Sequence, residues 1–393
     1  MAETSSEKTR EPFVRVAKRT GIHWYQSWGI RIVAVFLALI VNALFIHGVT
    51  GLNPVEVYRI MWTGTFESKY NFLTTLRDMS ILYCVALALA PAFRMRFWNI
   101  GGEGQVLMGA LASALLMIYA DQLPNGLLLP LMILCSAVFG AVWAFIPAWF
   151  KAKWNTNETL FTLMMNYVAI NIVNALTNIW RGAKSSLGTL NTQTKAGWWP
   201  KFLGYRFMPF ILIVTALAIF IKIYIHRSKH GYELSVLGDS PNTARYAGIN
   251  VKKVILRTMI LSGALCGLAG FGIVSGVDMT ISSGTARGYG FTAIIVAWLA
   301  HLEPEYMALI SFLLIFLDKG AAQITSAYSV LNDYASQVIT AIILFFILGS
   351  EFFVNYRLVF RSRHPGTHAP APAAASAGVQ MTDADGKEGT KES

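Results

Sequence analysis

Asn99-Ile100-Gly101-Gly102-Glu103-Gly104-Gln105 lies between two apolar runs, residues 81–93 and 106–119, with no room for an ordinary exposed loop. Three glycines let the backbone leave helical geometry, and amides freed in this way need partners when water is absent. Glu103 falls where a new helix would begin, and a carboxylate there complements the positive helix end. Two readings are open from these residues: a backbone break beside a buried polar site, or a tight cytoplasmic turn capped by Glu103.

Working outward, the two flanking runs belong to a series of ten. The others cover residues 30–49, 127–150, 160–179, 208–225, 254–277, 291–302, 307–317 and 338–353. The 393-residue chain is 55% hydrophobic and only 13% charged, about half the charged fraction of a soluble domain. Too little polar surface remains to cover a water-soluble globule of this size. The composition therefore predicts an all-α, polytopic transmembrane helical bundle of about ten spans, with the lipid bilayer as its solvent. It excludes a soluble enzyme with one anchor. Runs 81–93, 291–302 and 307–317 are short for simple spans, as expected of broken helices around a cavity. Runs one to five and six to ten have opposite orientations and similar layouts, which predicts an inverted repeat of two five-helix halves.

The net charge of +11 would suggest nucleic-acid binding in a soluble protein. Here the basic residues sit between apolar runs, where they set orientation instead, and no nucleic-acid partner is expected. Lys8, Arg10, Arg15, Lys18 and Arg19 precede the first run; Arg94 and Arg96, Lys151 and Lys153, and Arg227 to Lys253 lie in later turns. Arg357, Arg361 and Arg363 follow the last run. All are cytoplasmic if both termini are inside, and the one exception is the basic loop 181–206. The expected organisation is a basic N-terminal segment (1–28), a transmembrane domain (29–356) with a cytoplasmic loop at 226–253, and a disordered tail (357–393) rich in Ala, Pro and Gly. The first run reads as an uncleaved helix. Cys84, Cys135 and Cys266 lie far apart inside apolar runs and read as small core residues.

Three further patterns stand out. Glu158, Thr162, Asn166, Asn174 and Asn178 recur at steps of four or eight, with Asn171 nearby, so they form a slowly winding polar stripe on the fifth run. Such a stripe must face other helices or water, either as interhelical hydrogen bonding or as the lining of a substrate path. In the loop, Asp239 or Ser240 can cap a short helix with Pro241 in its first turn and Gly248 at its end, the form of a docking element or of an ordinary loop helix. Gly263/Gly267 and Gly272/Gly276 are spaced for close helix packing, and Gly288-Tyr289-Gly290-Phe291 opens the eighth run. No phosphate loop, nucleophile motif or metal-binding pair of convincing spacing is present, so no residue is expected to be catalytic or to hold a metal. Ionisable residues are almost missing from span centres, which argues against an ion-coupled secondary transporter and for an uncharged, hydrogen-bonding substrate.

At these residues the chain resembles the permeases of ATP-binding-cassette (ABC) importers for branched-chain amino acids, simple sugars and nucleosides, most closely the nucleoside and simple-sugar branch. The resemblance rests on Asn99 to Gln105 followed by Gly109-Ala110, on Asn157-Glu158 with Thr162-Leu163-Met164 and Asn166-Tyr167, on Gly238 to Ile249, and on Gly288 to Phe291. It implies a permease in the cytoplasmic membrane of a prokaryote, paired with a second homologous permease, a cytoplasmic ABC ATPase and an extracellular substrate-binding lipoprotein. ATP and Mg would bind the partner ATPase, with no cofactor in this chain. The implied substrate is a nucleoside, purine by preference, with simple sugars and then branched-chain amino acids as alternatives. By this likeness Asn99, Glu103, Gln105, Glu158, Thr162, Asn166, Asn174, Tyr289 and Phe291 line or support the pathway. Gly238, Asp239, Ser240, Pro241, Ala244, Arg245, Tyr246 and Gly248 form the coupling segment. Trp98 with Arg94 and Arg96, and Ser240 and Thr243, depart from the family pattern and bear on substrate identity.

Overall fold

The computed structural model describes residues 14–19, 21, 23–328 and 333–360. The chain divides into two units, Met1–Ile22 with Phe353–Ser393, and His23–Phe352. In the first, strand β1 (Val14–Lys18) pairs antiparallel with β2 (Tyr356–Phe360), Val14 opposite Phe360 and Lys18 opposite Tyr356. Residues 357–360 of the expected tail are thus a strand; the remainder of that tail, and residues 1–13 of the N-terminal segment, lie outside the described residues.

The second unit is built of helices. In chain order it contains α1 (Trp24–Thr50), α2 (Pro54–Phe66), α3 (Lys69–Arg94), α4 (Gly102–Tyr119), α5 (Asn125–Trp154), α6 (Glu158–Arg181) and α7 (Met208–Arg227). There follow α8 (Lys229–Asp239), α9 (Pro241–Tyr246), α10 (Val251–Ile273) closed by a π-turn (Val274–Asp278), α11 (Tyr289–Leu299), α12 (Pro304–Ala327) and α13 (Asp333–Asn355). Short polar side chains start many of them: Ser68, Asn157, Ser228 and Asn250 each accept a backbone N–H from the first turn of the helix that follows.

Among the described residues nine helices are long and apolar enough to cross a membrane, and α11 is a shorter apolar helix. Each of the ten expected runs is found in a helix. Two of the three expected to be short are not: α3 has 26 residues and α12 has 24. Hydropathy stops at Arg77-Asp78 and at Asp318-Lys319, but the helices continue through these charges because three of the four pair with one another rather than face lipid. The eighth run is short as expected, since the 11 residues of α11 rise only about 16 Å, half of a hydrocarbon core of roughly 30 Å. Arg31 near the start of α1 bonds Glu351 near the end of α13 at 2.7 Å, so the first and last helices meet at one level of the bundle. Nine full crossings would leave those ends on opposite faces. An even number is therefore required, and the loop 279–288 with the short apolar α11 is the segment available for a tenth crossing.

The packing is reciprocal between the halves. Helix α3 packs on α10, α11 and α12, and α10 packs on α3, α4 and α5, the pattern an inverted repeat requires. At the centre, α4, α5 and α10 approach through a seam of glycines that includes Gly263 and Gly267. A Cβ on Gly267 would lie 2.1 Å from the Ser136 carbonyl oxygen, so only glycine permits this contact. The basic loop 182–207 folds over the C-terminal ends of α4 and α10. Leu190 N–H donates to Met279 O at 2.8 Å, Ser275 Oγ to Gly197 O at 2.5 Å, and Asn191 Nδ2 to Met117 O at 2.7 Å. Its Arg206 donates to Trp199 O and lies over the Trp198 ring, so this cation is held inside the loop itself.

Candidate substrate pathway and docking segment

The stretch 99–105 forms the bend between α3 and α4 and the first turn of α4, and its backbone groups are met by side chains from elsewhere. Gln105 Nε2 donates to Asn99 Oδ1 at 3.0 Å and Asn99 Nδ2 to Gln105 Oε1 at 3.3 Å, and Asn99 also donates to Ser262 Oγ on α10 at 3.2 Å. Asn166 on α6 reads both polarities of the bend: it accepts from Gly104 N–H and donates to Ile100 O, both at 2.9 Å. Thr162 Oγ1 accepts from Ile100 N–H at 3.2 Å. All four side chains are buried. An irregular backbone in a membrane protein needs this kind of enclosure.

Glu103 sits in the first turn of α4, but it does not cap that helix. Its two carboxylate oxygens accept Gly288 N–H at 2.9 Å and Gly290 N–H at 2.8 Å, at the start of α11. The carboxylate thus satisfies the orphan amides of a half-length helix in the opposite half of the chain. Gly290 is packed so closely that a Cβ would meet Glu103 N at 2.1 Å. Among the two readings left open by sequence, the structure supports a buried break.

The polar stripe on α6 divides. Thr162 and Asn166 point inward to the bend. Asn174 is half-buried, and Asn171 and Asn178 are exposed. Four steps of four residues turn a side chain by about 160° on a helix of 3.6 residues per turn, so one stripe cannot keep facing one neighbour. Glu158, at the start of α6, pairs with Lys151 at 2.9 Å across the α5–α6 turn. Of the other pathway candidates, Tyr289 is buried beside the cluster described next, and Phe291 is 42% exposed on the outer surface of α11.

Sequence reasoning missed a charged cluster between α3, α11 and α12. Asp78, 3% exposed, accepts from Arg77 at 2.8 and 3.0 Å, from Lys319 at 2.8 Å and from Arg287 at 3.4 Å. Arg287 also bonds Asp278 at 2.5 Å. These groups, with Tyr289, Thr292 and Asp318, line a cavity of about 440 Å³ that α13 closes on one side. The expectation that ionisable residues are almost missing from span centres is therefore corrected for α12, where Asp318 and Lys319 lie midway along the helix. The signal was present as two adjacent charge pairs, Arg77-Asp78 and Asp318-Lys319, each flanking an apolar run and cut off by it.

The 226–253 loop folds as α8 and α9. Ser240, and not Asp239, caps α9 by accepting Thr243 N–H, with Pro241 in the first turn. Asp239 is the last residue of α8, and Gly238 is buried against the end of α3. Gly248 ends the segment at φ 75°, where a side chain would be strained. Ala244 is fully buried while Arg245 is exposed and Tyr246 is 91% exposed. Arg245 and Pro241 line a cleft of about 630 Å³ shared with Lys151 and Asn155 at the end of α5.

The family described as branched-chain amino acid transport system / permease component matches residues 71–348. The chain is 29% identical to the glucose ABC transporter permease protein TsgB13 of Haloferax volcanii, over 91% of this chain and 96% of that protein. It is 31% identical to the guanosine ABC transporter permease protein NupP of Bacillus subtilis, over 80% of this chain and 91% of the other. The nucleoside ABC transporter permease protein NupB of Lactococcus lactis is 26% identical, over 80% and 89%.

Proposed function

Because the chain belongs to the branched-chain amino acid transport system permease family, we propose that it is the membrane subunit through which an ATP-driven importer passes nucleosides inward. The observation that carries the mechanism is α9. A six-residue helix held by a buried Ala244, with Arg245 and Tyr246 turned outward beside a cleft, is suited to receive the push of a cytoplasmic ATPase. The likeness to the guanosine and nucleoside permeases over most of the chain supports the substrate.

In this reading the permease makes and breaks no covalent bond. An extracellular binding lipoprotein delivers the solute, ATP and Mg act on the partner ATPase, and movement at α9 opens the path to the cytoplasm of a prokaryote. Both termini lie inside. A second permease covers the exposed face of α6, where Asn171 and Asn178 stand among apolar side chains and would otherwise meet lipid. Asn99, Glu103, Gln105, Thr162 and Asn166 support the path by holding the bend, and Tyr289 borders it.

A simple sugar is the second reading, favoured by the glucose permease that matches nearly end to end. Guanosine and glucose share neutral charge and vicinal hydroxyls, so either suits a neutral polar path. An ion-coupled carrier is no longer disfavoured by a lack of charge, but family membership stands against it.

The test is uptake of labelled guanosine by cells with and without the gene, with glucose and leucine as competitors. Loss on deletion, competed by nucleosides alone, is expected; unchanged guanosine uptake overturns the nucleoside reading. Arg245→Ala is expected to lower uptake at least tenfold with normal membrane insertion, and normal transport by that variant rejects α9 as the docking element.

A further inference from the structure

We propose that the cavity between α3, α11, α12 and α13 is a binding site for a neutral, polyhydroxylated solute, with Asp318 as the acceptor for a vicinal pair of hydroxyls. This rests on the import reading above and assigns the recognition chemistry to named residues.

Two carboxylates border this cavity, and they differ in kind. Asp78 is saturated: it is buried and meets Arg77, Lys319 and Arg287 together. The ion-pair network that ties α3 to α12 and to the loop before α11 is complete without Asp318. Asp318 is exposed to the cavity and has no hydrogen bond or ion pair among the described residues. It lies about 21 Å along α12 from Pro304, well inside a helix of spanning length. A carboxylate kept at such a depth is costly and marks a polar path or a ligand.

The charge count points to the class of ligand. Three cations (Arg77, Arg287 and Lys319) face three carboxylates (Asp78, Asp278 and Asp318), so the cluster is neutral as it stands. A charged solute would unbalance it, whereas hydroxyl groups donate to Asp318 without adding charge. A carboxylate is an acceptor only and can take two hydroxyls at once, the arrangement a vicinal diol presents. The remaining wall is aliphatic, from Leu82, Leu314 and Leu344, and suits the flat or apolar side of such a molecule. The volume of about 440 Å³ falls within the roughly 300–1,000 Å³ typical of small-molecule sites.

The experiment measures uptake by the intact importer in cells, comparing guanosine with 2′,3′-dideoxyguanosine and glucose with 3-deoxyglucose. Wild type, Asp318→Glu and Asp318→Asn are compared, with assembly of the complex followed by co-purification. Expected is a preference of at least about tenfold for the hydroxylated member in wild type, retained by Asp318→Glu and lost in Asp318→Asn with assembly intact. A preference unchanged in Asp318→Asn overturns the site while leaving the import reading in place. So does a wild type that takes up both members equally. Failure of Asp318→Asn to assemble also overturns it, since the carboxylate is then a subunit contact. If the wild type takes up neither guanosine nor glucose, the import reading itself falls, and this assignment with it.

Discussion

Around Glu103 every polar side chain of the broken stretch finds a protein partner, whereas around Asp78 three cations crowd one carboxylate and a second, Asp318, stays unpaired among the described residues. The first cluster is built chiefly from amides and glycines. Its members are neutral, apart from Glu103, and each can donate and accept, so they close on themselves in a low-dielectric interior. The second is built from charges, which can be balanced in number without each being satisfied. The contrast separates two uses of polarity inside a membrane: one holds a bend in place, and the other leaves an acceptor open to a solute.

Substitutions sharpen or break this contrast, measured as unfolding free energy of the purified protein in detergent. Asp78→Ala is expected to cost most, about 3 kcal/mol, because it leaves three cations around an empty acceptor. Gly290→Ala comes next at about 1–3 kcal/mol, since the added methyl drives the start of α11 away from Glu103 N. Glu103→Gln follows at about 1–2 kcal/mol; its single carbonyl oxygen serves one of the two α11 amides and strands the other. Asp318→Asn is expected to change stability by no more than about 0.5 kcal/mol, since it breaks no hydrogen bond or ion pair among the described residues. A cost for Asp318→Asn near that of Asp78→Ala would erase the distinction between the two carboxylates. A cost for Glu103→Gln above that of Asp78→Ala would reverse which cluster carries the structure.

Much of this architecture is legible in the chain. The ten runs are found as helices, the glycine pair 263/267 is a packing seam, and the stretch 99–105 is a buried break because three glycines between apolar runs leave the backbone few other options. Other features depend on partners distant in sequence. That Glu103 caps α11 rather than α4 follows from Gly288 and Gly290, which nothing near residue 103 announces. The α6 stripe was half legible: its spacing is visible, but its 160° turn sends Asn178 to the opposite side from Thr162. The charged cluster escaped because hydropathy ends a run at a charge, while a helix ends only where backbone bonding ends. Ser240 outranks Asp239 as a cap because Asp239 still belongs to α8, a boundary set by three-dimensional packing.

The bonds from Glu103 to Gly288 and Gly290 also impose an order on biogenesis. The partners are separated by 185 and 187 residues, so at 5–20 residues per second the carboxylate is synthesised roughly 10–40 s before its first amide donor. During that interval α4 has a charged first turn and no α11 to receive it. The first half of the chain therefore completes its fold only after the second half arrives, and a nascent chain halted before residue 288 presents an uncapped acid to whatever surveys unfinished membrane proteins.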